Sequence, residues 1–267
     1  MLPRNRRNVF AFGVVLEGVT SLSLMLVLSA WPDSSAELRP LEARKAGARK
    51  VRVAIDAGHG APGNEGNHGC FCQAEQEHTL AVADFLAAAL EASGRFEVKR
   101  TRVGAEQPKY GARIAAAQAF KAEVIISLHS DARGWAEPVA QGDGGVCWVN
   151  AAAPGFAVLW NDEGPALAGR EKLGRAVGAR LREAGFLAYS GYDYGDLYTQ
   201  DAVEPSGWID KRPKKQRVYF LRASRIPTVI IETHHALDVD EVARWGEERT
   251  LDAFSRAVMV AILDVTN

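Results

Sequence analysis

Residues 51–60 read VRVAIDAGHG. A short apolar, β-branched run stops abruptly at an acid, a small residue, a glycine and a histidine. This pattern predicts a buried strand over 51–56 that delivers His59 to a tight turn. Three similar deliveries follow: Glu75 opens a helical pattern, His129 stands in SLHSD, and Glu232 stands near the end of TVIIET. Two imidazoles and one carboxylate, if they converge, leave a fourth position of a tetrahedral metal shell open, as catalytic zinc requires. A second carboxylate near the metal but not on it can move protons.

The segments around these residues predict the frame. EQEHTLAVADFLAAALEAS puts Leu80, Ala83, Leu86 and Leu90 on one face, so a helix is expected over 75–93, closed by Gly94. Residues 61–73 hold Pro62, Gly63, Gly66 and Gly69 and read as a loop. Further strands are expected over 96–101, 124–128, 145–150, 218–221 and 227–231. Further helices are expected over 110–120, 171–184, 239–245 and 248–263. Residues 186–213 read as irregular and tyrosine-rich. Strands alternating with helices imply βαβ units, hence an α/β fold: an open, mostly parallel sheet with helices on both faces. Ligands of such sheets bind beyond the carboxyl ends of the strands. His59, His129 and Glu232 all follow predicted strands, and Glu75 reaches the same edge from its loop–helix junction. A single histidine after a strand is ordinarily hydrogen-bonded structure. A glutamate at a helix start is ordinarily a charge favoured by the helix dipole. Convergence on one edge is what points to a site.

The chain has 267 residues, 47% hydrophobic and 24% charged, with net charge -1. That balance is ordinary for a globular enzyme and gives no argument for a nucleic-acid partner. Arg4, Arg6 and Arg7 precede an apolar stretch over 9–31 and then PDSSAEL. Residues 1–35 therefore read as a signal peptide or an N-terminal membrane anchor. Glu17 interrupts the apolar run and weighs against a stable span. Residues 36–50 read as a charged linker, and residues 51–267 as a single catalytic domain. Of the three cysteines, Cys70 or Cys72 could bridge to Cys147 in an exported protein, leaving an odd thiol. Thiolate ligands would instead make a closed, structural zinc site.

At these motifs the chain resembles the zinc-dependent N-acetylmuramoyl-L-alanine amidases of bacterial cell walls, amidase type 3, over about residues 51–263. DAGHG is similar to the family's first histidine motif, with a zinc ligand at His59. EQEHTLAVADFL is similar to its glutamate-opened helix, with a ligand at Glu75. ISLHSDA matches the second histidine motif, with a ligand at His129, and IPTVIIET the strand with the catalytic glutamate, at Glu232. Thr101–Arg102 and the helix with Arg113 resemble the frame between them. The resemblance implies a six-stranded, mostly parallel sheet and one Zn2+ per chain. It also implies hydrolysis of the amide between the lactyl group of N-acetylmuramic acid and L-alanine in peptidoglycan, by a monomer in the periplasm or cell envelope. A regulatory partner is left open.

Departures from the pattern define further expectations. Glu77 competes with Glu75, which is preferred for its offset from Leu80. His234 and His235 stand where the family more often has a phenylalanine-type residue. By strand alternation His234 is expected on the face of Glu232, able to meet substrate. Arg102, Tyr192 and Tyr194 are the other candidate substrate contacts, the tyrosines lying in YSGYDYGDLY at 189–198. His68 and His78 read as surface residues, Asp162 and Glu163 as a solvated turn, and KRPKKQR at 211–217 as a solvated charged loop. Two rivals remain. One is a zinc carboxypeptidase or aminopeptidase on a related fold, using Arg102, Arg113 or Arg222 to clamp a free terminus. The other is a non-catalytic cell-wall-binding protein.

Overall fold

Val53 and Ile55 leave one face of the first strand and Ala54 the other, and all three are fully buried. Such a strand needs cover on both faces, which is the condition for a parallel α/β sheet. A computed structural model, which describes residues 49–140, 145–164 and 166–266, has this arrangement. The expected leader at 1–35 and most of the linker lie outside the described residues.

The elements run β1 (Val51–Ala57), α1 (Glu75–Ala92), β2 (Phe96–Arg100), α2 (Tyr110–Ala119), β3 (Val124–Asp131), β4 (Glu137–Ala140), β5 (Val146–Val149) and β6 (Ala157–Asn161). They continue α3 (Leu167–Glu183), β7 (Thr199–Gln200), β8 (Gly207–Asp210), α4 (Tyr219–Ala223), β9 (Thr228–His235), α5 (Val239–Trp245) and α6 (Glu248–Thr266). One seven-stranded sheet has the order β2-β1-β3-β9-β6-β8-β7, and β4 and β5 form a separate two-stranded hairpin. The pairs β1–β2, β1–β3, β3–β9 and β6–β8 are parallel, while β6–β9 and β7–β8 are antiparallel. The fold class is the expected one. The seventh strand is the two-residue β7, at an edge.

On one face Val53, Ile55, Ile126, Val158 and Val229 pack with residues of α1, α3 and α6 such as Leu86, Leu173 and Phe254. On the other, Ala54 and Ile125 meet Ile114 of α2 and Phe220 of α4. A third cluster, around Tyr189, Tyr194, Trp208 and Leu159, closes the far end of the sheet.

Three segments differ from expectation. Residues 218–221 were expected as a strand, but Tyr219–Ala223 is helix α4 with Phe220 and Leu221 buried. A short apolar run has no period that separates strand from buried helix turn. Residues 145–150 do contain a strand, but it belongs to the hairpin. Residues 186–213 were read as irregular, yet they hold β7 and β8, whose Trp208 is buried.

Candidate active site

The edge of the sheet where β1, β3 and β9 end gathers the predicted residues. Asp56, near the end of β1, is buried and accepts hydrogen bonds from the hydroxyls of Thr101 and Ser127 and from Arg113 Nη1. Arg113 also donates to the carbonyls of Ala57 and His59. The chain then turns through His59 at φ 59, a left-handed conformation unusual for a side-chain-bearing residue. Register pairs Ala57 with Leu128, and a Cβ on Gly58 would lie 2.5 Å from the His129 ring. The small residue before His59 therefore makes room for the second histidine.

His59 Nε2 lies 3.1 Å from Glu75 Oε2, and His129 Nδ1 lies 3.1 Å from Glu75 Oε1. The two imidazole rings meet edge to face, 4.7 Å apart. Their donor atoms and the Glu75 carboxylate all fall within 4.8 Å of one another. Zinc–ligand bonds of about 2.1 Å in a tetrahedral shell space the donors about 3.4 Å apart, so this set fits such an ion. Neighbouring groups hold the donors in place. Asn64 Oδ1 accepts from His59 Nδ1 at 2.7 Å, which leaves the lone pair on Nε2. Glu75 Oε2 accepts from the backbone and side-chain nitrogens of Asn67, and Oε1 accepts from Ser130 N–H. His59 and His129 keep 20% and 15% side-chain exposure while Glu75 keeps 3%, so the cluster opens to solvent on the histidine side.

Burial alone would lower both histidines, but hydrogen bonding and charge from Glu75 raise them. Burial would likewise raise Glu75, but the two histidines hold it well below the ordinary carboxylate range. Glu77, the competing acid, is exposed one residue further on from Gln76.

Glu232 pairs with His129 in the β3–β9 register, so the two side chains leave the sheet together. It is partly buried, and burial followed by repulsion from Asp131 pushes its carboxyl up to about 8. A carboxyl so placed holds and releases a proton near neutral pH.

The four expected substrate contacts have different environments. Arg102 is 4% exposed and donates to the carbonyls of Ala57, Gly58 and Gln76 and to the Thr79 hydroxyl. It ties the end of β1 to the start of α1 and is not free for substrate. Tyr194 is buried, with its hydroxyl donating to Asp131 at 2.5 Å, so its ring has no face to offer a sugar. Tyr192 is 91% exposed. His234 does not share the face of Glu232. From the His129–Glu232 pair to the Asp131–His235 pair, β3 advances two residues and β9 three. This bulge breaks the alternation and turns His234 inward, stacked on Trp245 at 5.7 Å and hydrogen-bonded to Thr233. His78, expected at the surface, packs against both His234 and Trp245.

Some residues of this edge escaped the sequence reading. Asp131 accepts from Tyr194, and Arg133 donates to Asp131 and to the carbonyls of Ala153 and Gly155, with its guanidinium 3.9 Å over the Tyr189 ring. Asn64 and Asn67 lie in a loop whose polar composition looked like ordinary turn chemistry. Cys72 bridges to Cys147, one of the two expected pairings, and leaves Cys70 as the odd thiol, buried and free.

Similarity to other proteins agrees with this geometry. The chain resembles the N-acetylmuramoyl-L-alanine amidase AmiC2 of Nostoc punctiforme, at 20% identity and TM-score 0.58, over 82% of this chain and 98% of that one. It resembles the catalytic domain of CwlV from Bacillus (Paenibacillus) polymyxa at 20% identity and TM-score 0.57, over 81% and 99%. Ami1 from Mycobacterium smegmatis follows at 16% identity and TM-score 0.62, over 81% and 97%. Likeness at these identities shows a common fold. No curated protein sequence matches significantly. The profile of N-acetylmuramoyl-L-alanine amidases matches residues 53–264, a span that takes in His59, Glu75, His129 and Glu232, and the chain therefore belongs to that amidase family.

Proposed function

We propose that the chain hydrolyses the amide between the lactyl group of N-acetylmuramic acid and L-alanine in peptidoglycan, with zinc held by His59, Glu75 and His129. The observation that carries this reading is the three-donor cluster with Glu232 paired beside His129. Zinc, when bound, supplies Lewis acidity toward the scissile carbonyl and lowers the pKa of water. The remaining chemistry belongs to the chain. The Glu232 carboxylate takes a proton from the attacking water as the new C–O bond forms. It then gives that proton to the alanine nitrogen as the C–N bond breaks, leaving a lactyl carboxylate and a free amine. Asn64, Asn67 and Ser130 hold the ligands in orientation. Tyr192, exposed next to Asp193, which accepts from Gly134 N–H beyond β3, is a proposed substrate contact.

The peptidase rival needs an arginine free to clamp a terminus, but Arg102 and Arg113 direct their donors to the backbone and to Asp56, and Arg222 lies on α4 over the Tyr219 ring. A non-catalytic wall-binding role would not require Glu232 beside a complete donor set. Residues 1–35 are read as a signal peptide or anchor, 36–50 as a linker, and the chain as a monomer acting in the periplasm or cell envelope. The Cys72–Cys147 disulfide supports an oxidising destination. The test is digestion of purified peptidoglycan with and without a chelator. New L-alanine amino termini, without new reducing sugars and lost with the chelator, are the expected outcome. Fresh reducing ends would sink the proposal, and new carboxyl ends within the stem peptide would favour the peptidase.

A further inference from the structure

The chain uses tryptophan in two ways. Trp160, Trp208 and Trp245 are at most 5% exposed, whereas Trp135 and Trp148 are 90% and 50% exposed. Both outward indoles belong to the excursion between β3 and β6 that includes the β4–β5 hairpin, with Val146 exposed beside Trp148. Large aromatic side chains held in water at neighbouring positions mark a recognition surface. Between them lies a cavity of about 740 Å³, lined by Asn67, Cys72, Gly134, Trp135, Trp148 and Leu237 among others.

This cavity adjoins the metal cluster. Asn67 forms part of its wall and also donates two hydrogen bonds to Glu75. Gly134 follows the Asp131–Arg133 segment that leaves β3 next to Glu232. A two-stranded hairpin with four-residue strands is marginal by itself. The Cys72–Cys147 disulfide ties it to the loop that carries Asn67, so the two walls of the cavity are covalently joined.

Among the described residues the lining carries no carboxylate, ammonium or guanidinium group, and His68 is its one ionisable side chain apart from the disulfide-bonded cysteines. That chemistry selects against the charged stem peptide and suits an uncharged, N-acetylated sugar. The C–H faces of pyranose rings pack against the electron-rich faces of indoles, and an acetamido methyl group suits an apolar wall. We propose that this groove binds the glycan strand next to the cut lactyl group, with Trp135 and Trp148 as its stacking platforms. The proposal rests on the amidase reading, because only there must a glycan strand lie beside the donors.

Calorimetric titration of the full chain with peptide-free glycan strands tests it. Saturable binding is expected, weakened about tenfold by Trp135→Ala or by Trp148→Ala and largely restored by Trp148→Phe. An unchanged melting temperature and an intact Cys72–Cys147 bridge will show that the variants remain folded. Equal affinity in the folded alanine variants overturns the proposal. So does binding of free stem peptide in place of glycan, or concentration-dependent self-association that the same substitutions abolish. Titration requires no bond cleavage. Absence of glycan binding by the unaltered chain, with its cleavage intact, therefore rejects the groove alone, while absence of cleavage by the unaltered chain rejects the amidase reading.

Discussion

Removing the Cys72–Cys147 bridge measures how much of the domain's stability depends on a link that also holds the site loop. The bonded residues are 75 apart in sequence. In the chain-entropy account, closing a loop of that length removes about 4.5 kcal/mol of freedom from the unfolded chain at 25 °C. In a domain of this size, 1 kcal/mol moves Tm by about 2–4 °C. Cys72→Ser is therefore expected to lower Tm by about 9–18 °C. Cys147→Ala should do the same, since either change removes the same cross-link, and reductant should bring the unaltered chain to the same value. Thermal unfolding followed by circular dichroism provides the measurement. A thiol count in denaturant establishes that Cys70, buried and free in the native chain, has not replaced Cys72. A drop below about 3 °C in both variants would refute the reasoning, because the unfolded-state constraint would then be too small to matter.

Four other substitutions address the site and its frame. Glu232→Gln should keep the metal, measured by elemental analysis, and lose about 10²–10⁴-fold in turnover, whereas His129→Ala should lose the metal itself; metal loss in Glu232→Gln would refute this division of roles. Arg113 is fully buried against Asp56, so Arg113→Ala leaves an unpaired buried carboxylate and should cost about 3–5 kcal/mol in denaturant unfolding. Burial pushes the Glu241 carboxyl up to about 7, although it accepts backbone N–H groups from His235 and Gly155. The folded chain then keeps a proton that the unfolded chain releases at the ordinary 4.5, so stability falls as pH rises between these values. Glu241→Gln should flatten that part of the Tm–pH curve, and an unchanged slope would exclude Glu241 as its source.

What the sequence disclosed, and what it hid, follows from the range of the interactions. β1, β3 and β9 each hold an apolar run buried on both faces and turn polar toward the carboxyl end, so strand and strand end are visible together. Glu75 was legible because a helix start favours an acid and Leu80 fixes the helix phase. The hairpin was half legible. A strand over 145–150 and a bridge from Cys147 to Cys70 or Cys72 were expected, but β4 is exposed along its length and carries no core alternation, and sequence spacing does not choose Cys72 over Cys70. The positions of Arg102 and Tyr194 were missed for a related reason. Composition marks an arginine or a tyrosine as able to bind, but only the fold decides whether its donors meet backbone carbonyls, Asp131 or solvent.

The bulge in β9 explains why one histidine beside the predicted base fails to join it. Regular alternation would send Glu232 and His234 to the same face. The extra residue on β9 lets Glu232 stay in register with His129 while His234 packs under the sheet against Trp245 and His78. Burial pushes both His78 and His234 down, so this inner pair is neutral at neutral pH. A one-residue insertion in a strand thus separates a polar but uncharged pair on one face from the Glu232 carboxylate on the other.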